Sequence, residues 1–354
     1  MSIRCNKVRI TCGNGTIVEA QAPVIISASR STDIPAFFAQ WFVNRLKTGY
    51  VVWTNPFNRQ PMHVSFKNTK VVVFWSKNPK PLIPYLKELD NRGIHYYFQF
   101  TLNDYEQEGF EPNVPPLMER LNTFRYLSEL IGKEKVIWRF DPLIVTPKLR
   151  SRDLLKRIWE IGNQLKGYTD RLVFSFVDIK AYRKVQYRLM KETSFFTKTD
   201  LEEAELNNTQ RSEIIEGLIK IRERWMSEDW NLSLATCAES VDLEQYGIEH
   251  NCCIDGELMK KIFSDDLDLM YYLSRGKLPN KNLLFPNIPG KPVNLKDKGQ
   301  RKACRCIISK DIGMYNTCPH FCVYCYANTS KEAVENNLAL HNNETERIII
   351  QNSG

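Results

Sequence analysis

The stretch VVVFW at residues 71–75 is the clearest of six short apolar runs that decide the fold of this chain. Each run is almost continuously hydrophobic, which is typical of strands in a parallel sheet that is covered on both faces. The runs are VIISAS (24–29), VVVFW (71–75), YYFQFT (96–101), VIWRF (136–140), RLVFSFV (171–177) and LSLAT (232–236). We therefore predict six parallel strands in this part of the chain.

Segments of helical periodicity separate these runs. One apolar stripe ends at Gly132, and another contains Ile214 and Leu218, with the spacing expected of amphipathic helices. Because parallel strands are joined by helical crossovers, the predicted fold class is α/β, as a partial or complete (β/α) barrel of the TIM type. Turn signals predict an inserted hairpin or loop at 51–66. The polar segment 183–208 is expected to be a surface helix and loop.

We predict one domain that is built from two pieces of the chain. Residues 1–300 would form the barrel body with an N-terminal hairpin. Residues 301–354 would supply a C-terminal strand, a cysteine loop and a helix that complete the same domain. The tetrapeptide Thr329-Ser330-Lys331-Glu332 has the capping-box pattern that starts a helix.

The composition is that of a globular protein, with 354 residues of which 43% are hydrophobic. No apolar run reaches the ~18 residues of a membrane span and no signal-peptide pattern is present, so we expect a cytoplasmic protein without a membrane partner. In that compartment clustered cysteines indicate metal binding rather than disulfides. The formal net charge of +8 suits nucleic acid, but basic residues scattered along solvated helix faces give the same value.

Polar or thiol side chains stand at the end of each predicted strand. Because the carboxyl ends of parallel strands share one side of the fold, we predict that these residues share one pocket. They are Ser29, Arg30, Asp33, Lys77, Gln99, Thr101, Arg139, Asp141, Asp178, Cys237 and Glu239. The cations suit a carboxylate or a phosphate, and the aspartates suit ribose hydroxyls or an amine. Taken singly, each is also typical of a cap, a turn or a surface charge.

The segment NTCPHFCVYCYANTS at residues 316–330 contains Cys318, Cys322 and Cys325 in the spacing C-x-x-x-C-x-x-C. Cysteine thiolates hold iron–sulfur clusters, and three of them leave one iron of a four-iron cluster without a protein ligand. An open coordination position distinguishes catalytic metal sites from structural ones. The spacing therefore predicts a catalytic [4Fe-4S] site. The alternative is a zinc site shared with the nearby Cys304 and Cys306.

Four other cysteines predict a second metal site. Four protein thiolates would close it, which favours an auxiliary iron–sulfur cluster with a structural or electron-transfer role, with zinc as the other candidate metal. The predicted ligands are Cys237, Cys253, Cys304 and Cys306. The alternative is that some of them are buried free thiols. Cys5 and Cys12, in a polar N-terminal segment, are expected to be neither ligands nor catalytic.

The cysteine spacing, with Tyr324 directly before the last cysteine, resembles that of the radical S-adenosylmethionine superfamily. The resemblance implies that Cys318, Cys322 and Cys325 hold a [4Fe-4S] cluster whose open iron chelates S-adenosylmethionine. It further implies reductive cleavage of the sulfonium to a 5′-deoxyadenosyl radical. Tyr324 would then lie near the adenine.

The order of the elements resembles a circular permutation of spore-photoproduct-lyase-like members of that superfamily. The runs IISASRSTDIP, VVFWSKNP, FQFTLN and WRFDPLI are similar to their successive strands and loops. Residues 307–314 would then supply their first strand from the C-terminal end. Taken whole, from about Val24 to Asn328, the chain is identified as a member of domain of unknown function family eighteen-forty-eight. The family resemblance also favours Cys253 over Cys252 at the second site.

The resulting hypothesis is a radical S-adenosylmethionine enzyme that cleaves its cofactor reductively and abstracts hydrogen from an unidentified nucleic acid, small molecule or peptide. It would need an electron donor such as flavodoxin or ferredoxin. The expected cofactor contacts are Tyr324, Arg30, Asp33, Lys77, Gln99, Thr101, Arg139 and Asp141. The alternatives are a zinc- or cluster-stabilised nucleic-acid-binding protein without catalysis and a two-cluster electron-transfer protein.

Overall fold

A computed structural model describes residues 6–197, 201, 205–239, 241–280 and 293–349. The strands are β1 (Lys7–Thr11), β2 (Ile17–Gln21), β3 (Ile25–Ala28), β4 (Tyr50–Thr54), β5 (Pro61–Ser65), β6 (Val71–Ser76), β7 (His95–Thr101), β8 (Val136–Leu143), β9 (Arg171–Phe176), β10 (Ser233–Thr236), β11 (Ile248–His250) and β12 (Lys310–Asp311). The α-helices are α1 (Ile34–Phe37), α2 (Ala39–Thr48), α3 (Leu86–Asp90), α4 (Leu117–Ile131), α5 (Ser151–Leu165), α6 (Arg183–Glu192), α7 (Asn208–Ser227), α8 (Gly256–Ile262), α9 (Leu267–Arg275) and α10 (Lys331–Ala339).

The larger of two sheets has eight strands, all paired in parallel, in the order β11-β10-β9-β8-β7-β6-β3-β12. The six predicted runs are β3 and β6 to β10, so the α/β class is confirmed. Within the described part of the chain, the edge strands β11 and β12 do not pair with each other. The expectation of a complete barrel is therefore corrected to an open sheet. Its edge strands are only three and two residues long, which leaves few backbone groups for a closing ladder.

The C-terminal strand β12 lies where residues 307–314 were expected to add a strand, although it has only two residues. It pairs in parallel with β3, with Asp311 opposite Ser27. The Asp311 carboxylate accepts hydrogen bonds from Ser27 Oγ at 2.8 Å, Ser29 Oγ at 2.9 Å and the Arg30 amide at 2.8 Å. A Cβ at Gly313 would lie 1.8 Å from Ser29 Oγ, so this close approach requires glycine. Side-chain hydrogen bonds thus hold a strand too short to be held by its ladder alone.

The smaller sheet has the order β1-β2-β5-β4. Its antiparallel pairs β1–β2 and β4–β5 confirm the predicted N-terminal and inserted hairpins. The sequence did not reveal that the hairpins join through a single parallel bridge, Gln21 to Val64. The chain near its C-terminus packs here as well, since the Val52 amide donates to the Glu346 carbonyl at 2.8 Å.

The two faces of the larger sheet have separate apolar cores, because successive side chains of a strand point to opposite faces. On one face, called the outer face, side chains such as Phe98 and Trp138 pack with α2, α4, α5 and α7. On the other, called the inner face, side chains such as Val73, Tyr97 and Ile137 pack with α8 and α9. Both faces are covered, as the continuous hydrophobicity of the strands predicted.

The helix after the cysteine loop starts one residue later than predicted. Ser330, not Thr329, is the N-cap of α10, and its hydroxyl accepts from the Ala333 amide at 3.1 Å. The Val334 side chain of this helix is buried. Among the described helices, none combines the length and the apolar composition that crossing a bilayer requires.

Candidate functional site

The inner face of the larger sheet changes from apolar to polar toward the carboxyl ends of its strands. In β8, Ile137 is followed on the same face by Arg139 and Asp141. In β7, Tyr97 is followed by Gln99 and Thr101. The alternation of side chains along each strand therefore aims the polar residues at one region beyond α8 and α9.

This region contains a cavity of about 370 Å³, within the roughly 300–1,000 Å³ that ligand pockets occupy. It is lined by most of the predicted residues: Arg30, Asp33, Lys77, Thr101, Arg139, Asp141, Asp178, Glu239, Tyr324 and all seven cysteines of the two predicted sets. Gln99 is buried behind the lining. A larger cavity of about 620 Å³ near Arg150 and Glu213 has no cysteine among its lining residues, so the chemistry points to the first cavity.

The three loop cysteines lie side by side on this cavity. Burial raises the pKa of the Cys318 thiol to about 12. Burial also raises the pKa of Cys322 well above its usual value, and the nearby Cys325 and Cys318 thiols add to the rise while Lys77 opposes it. These groups are therefore neutral unless a cation stabilises the thiolates. A metal cluster supplies such a cation, so the donor set fits one.

Residues from distant parts of the chain hold the loop in place. The Arg188 guanidinium on α6 donates to the carbonyl oxygens of Val323 at 3.1 Å and Asn328 at 2.7 Å, and also to that of Cys325. The Asn328 side-chain amide donates to the Cys318 carbonyl at 2.7 Å. No sequence pattern pointed to Arg188, which lies in a segment that was expected to be a surface helix and loop.

A buried histidine within the cysteine loop contacts one of the predicted aspartates. His320 Nε2 lies 2.9 Å from Asp33 Oδ2, and both side chains are almost completely buried. The Asp33 oxygens also accept from the amides of Ala36 at 3.0 Å and Lys77 at 2.8 Å and from Ser76 Oγ at 2.7 Å. Asp33 therefore caps α1 and anchors the loop. His320 was missed, and its one signal was its position between the first two cysteines.

Tyr324 belongs to a buried ionic network. Lys77 Nζ donates to Glu111 Oε1 at 2.7 Å and to Tyr324 Oη at 2.9 Å, and the Tyr324 hydroxyl also donates to Glu111. Burial alone would raise the Glu111 pKa, but Lys77 and Arg120 lower it to about 2. Lys77 was predicted to bind an anionic ligand, and its ammonium group is instead paired with Glu111.

The second predicted set of cysteines also comes together. Cys237 Sγ lies 3.4 Å from Cys253 Sγ, and Cys306 Sγ accepts from the Ile254 amide at 3.4 Å. A hydrogen bond from Cys306 lowers the pKa of Cys304 to about 7. These contacts join all four cysteines into one group.

The adjacent Cys252 points elsewhere, since its Sγ lies 3.3 Å from the Arg305 carbonyl oxygen. Cys12, expected to be no ligand, has its Sγ 3.6 Å from His63 Nε2 in the smaller sheet. Cys5 lies outside the described residues.

Arg139 and Gln99 contact the second set of cysteines at Cys253. Arg139 Nη1 lies 3.2 Å from Cys253 Sγ and donates to Gln99 Oε1 at 3.0 Å, while its other nitrogens pair with Asp141. Gln99 Nε2 donates to the Cys253 carbonyl at 3.1 Å. Asp178, in contrast, is half exposed and pairs with Arg301 at 2.8 Å.

Arg30 is a predicted cation with a hydrogen-bond donor that no described residue accepts. Its Nη2 atom is buried and has no hydrogen-bond partner among the described residues. The guanidinium carbon lies 5.3 Å from the centre of the Trp75 ring. Burial alone would lower the Arg30 pKa, but nearby Cys306 and Cys253 thiols and the Asp311 carboxylate raise it. A buried cation with a bare N–H favours an anionic group in the cavity.

Across the described ranges, no three His, Cys, Asp or Glu side chains converge as ligands of a single metal ion. A four-iron cluster is larger and is held by thiolates on different irons. The thiols of Cys318, Cys322 and Cys325, which all line one cavity, fit that requirement.

The fold and the site define an α/β protein whose parallel sheet presents two groups of cysteines to one cavity. A family model covers residues 25–327, and the chain belongs to that family, described as Domain of unknown function (DUF1848). The family membership predicted from the sequence is thereby confirmed. No curated protein and no solved structure matches the chain.

Proposed function

We propose that this protein is a radical S-adenosylmethionine enzyme in which Cys318, Cys322 and Cys325 hold a [4Fe-4S] cluster with one open iron. The observation that carries the proposal is the position of the three loop thiols, one buried and two partly buried, which line a cavity at the carboxyl ends of a parallel sheet. Chemistry in parallel α/β folds gathers at those ends. We further propose that the open sheet is a permuted, partial TIM-like barrel of the radical S-adenosylmethionine type.

When bound, the cluster would supply the electron that cleaves the sulfonium of S-adenosylmethionine. The residues of the chain bind and orient the reactants. Arg30 has a free, buried N–H for a carboxylate, and Thr101 and Asp141 line the same cavity. Lys77 and Glu111 fix the Tyr324 hydroxyl, which orients its ring at the cavity wall.

The second group of cysteines supports an auxiliary iron–sulfur cluster rather than zinc, because no three ligands of the described residues converge on a single metal ion. Four thiolates bound to a metal carry net negative charge, and burying that charge is costly unless cations are close. Arg139 lies 3.2 Å from Cys253 Sγ, and the thiols raise the pKa of Arg30. Two arginines are thus placed where a closed four-thiolate site needs positive charge.

A two-cluster electron-transfer protein is the second candidate, favoured by the opening of both cysteine groups onto one cavity. It predicts redox activity without binding of S-adenosylmethionine. A nucleic-acid-binding protein stabilised by zinc remains the alternative that the net charge of +8 suggests. Its affinity would fall steeply with salt, because phosphate contacts release counterions.

Metal analysis of the full chain purified without oxygen tests the proposal against the zinc alternative. We expect iron and acid-labile sulfide in equal amounts, together with a brown chromophore. Zinc without sulfide would contradict the proposal and support the nucleic-acid-binding protein. A flavodoxin or ferredoxin is the expected electron donor, and reduction of the chromophore by either would be followed by its bleaching.

A further inference from the structure

Arg188 connects α6 to the cysteine loop across a sequence separation of 135 residues or more. Its side chain is almost completely buried. One guanidinium serves three carbonyl oxygens, those of Val323, Cys325 and Asn328. These carbonyls flank the last cysteine on both sides. The guanidinium reaches these separated acceptors from three different nitrogens in a fixed plane, whereas a lysine ammonium has all its donors on one nitrogen.

The charge of Arg188 is not neutralised by these contacts. Within the described residues it forms no salt bridge, since its partners are all backbone carbonyls. A buried cation without a counterion is costly, and the cost falls when an anion is bound nearby. A cluster held by three thiolates supplies negative charge at Cys325. The same helix carries Lys184, whose pKa is lowered by burial and by Arg188, so a second positive charge stands one turn away.

The loop is ordered by hydrogen bonds that do not involve metal. The Val323 amide donates to the Phe110 carbonyl at 3.0 Å, and the Cys325 amide donates to the Cys322 carbonyl at 3.0 Å. The Ala327 amide donates to Cys325 Sγ at 3.3 Å. Arg188 binds three carbonyls of this segment, so the direction of these peptide groups depends on Arg188.

We propose that Arg188 is a positioning residue that shapes residues 323–328 for cluster ligation and places a positive charge beside the bound cluster. The ordering of the loop by Arg188 is independent of the proposed function, whereas the effect of Arg188 on the cluster rests on that function. Arg188 would act through Cys325 rather than on the substrate.

The first test uses the metal-free full-length protein and measures amide hydrogen exchange. We expect R188K and R188Q to exchange faster than wild type across residues 323–328. R45K is the matched control, because Arg45 is also buried and donates to a backbone carbonyl, but to that of Glu344 at 3.1 Å and not to one in residues 323–328. Unchanged exchange of residues 323–328 in both Arg188 variants would overturn the proposal.

The second test uses protein reconstituted with iron and sulfide. We expect the apparent affinity for the first cluster to fall roughly 10–100-fold in R188Q, as for other residues that orient metal ligands. The reduction potential should fall in R188Q and stay closer to wild type in R188K, because only R188Q loses the charge. Added guanidinium should partly restore iron binding to R188G. A potential unchanged in R188Q, with no rescue of R188G, would contradict the electrostatic part of the proposal.

These two tests separate failure of the inference from failure of the proposed function. If the wild-type chain takes up no iron, the proposed function is wrong, and the exchange measurement on the metal-free protein still decides whether Arg188 orders the loop.

Discussion

Replacing Cys322 with alanine is expected to abolish the brown chromophore of the three-cysteine site. Cys322 is the middle ligand of the proposed set and its side chain is buried against Lys77 and the other two thiols. Two remaining thiolates cannot hold a cluster that needs three. The measurement is iron and sulfide content with visible absorption after anaerobic reconstitution, compared with wild type under the same conditions.

The matched control is C252A. Cys252 lies next to a proposed ligand in sequence, but its Sγ contacts the Arg305 carbonyl and does not line the cavity. We expect C252A to retain the full iron content. Because a second cluster would also absorb, C322A is best measured in a background in which Cys237 and Cys253 are alanine. Retention of the chromophore in that triple variant would show that the loop cysteines are not the ligands.

Replacing Glu111 with alanine is expected to cost about 3–5 kcal/mol of the free energy of unfolding, the range found when one partner of a buried ion pair is removed. The Glu111 side chain is 3% exposed and lies 2.7 Å from Lys77 Nζ and 3.9 Å from Arg120 Nη1. Its removal leaves two buried cations without their shared carboxylate. It also removes the carboxylate to which the Tyr324 hydroxyl donates, so the cysteine loop should lose order.

The control for E111A is E119A, which removes a glutamate from another lysine pair. Lys80 Nζ and Glu119 Oε1 lie 2.9 Å apart, but both side chains are largely exposed, and such pairs contribute about 0–1 kcal/mol. Urea denaturation followed by circular dichroism measures both variants. Equal losses in E111A and E119A would mean that the buried network does not stabilise the fold.

The strands were predictable from the sequence because burial on both faces produces continuous apolar runs, as in 71–75. The position of the site was predictable as well, since the carboxyl ends of parallel strands meet on one side. The second cysteine group followed partly from the positions of the thiols and partly from the family resemblance, which favoured Cys253 over Cys252, and the structure places all four in contact.

The partners of the predicted residues were not predictable, because they come from distant parts of the chain. Asp33 is separated from His320 by 287 positions, and Tyr324 from Lys77 by 247. Local sequence carries no information about such pairs. For the same reason Arg188 and Glu111 were missed, although they hold the loop and Tyr324 in place.

The location of the edge strands is also not contained in local sequence patterns. The two residues of β12 show no periodicity, and this strand depends on Asp311, which gathers donors from Ser27, Ser29 and Arg30. Local patterns likewise did not show that the edge strands β11 and β12 leave the sheet open. For this reason a complete barrel was one of the expectations.

The most direct test of the central claim is the release of 5′-deoxyadenosine from S-adenosylmethionine by the reconstituted, reduced full-length protein. We expect wild type to release it, with more product when DNA, RNA or a metabolite fraction supplies the substrate, and C322A to release none. Wild-type protein that is fully loaded with iron and sulfide, yet yields no 5′-deoxyadenosine in any of these fractions, would contradict the account.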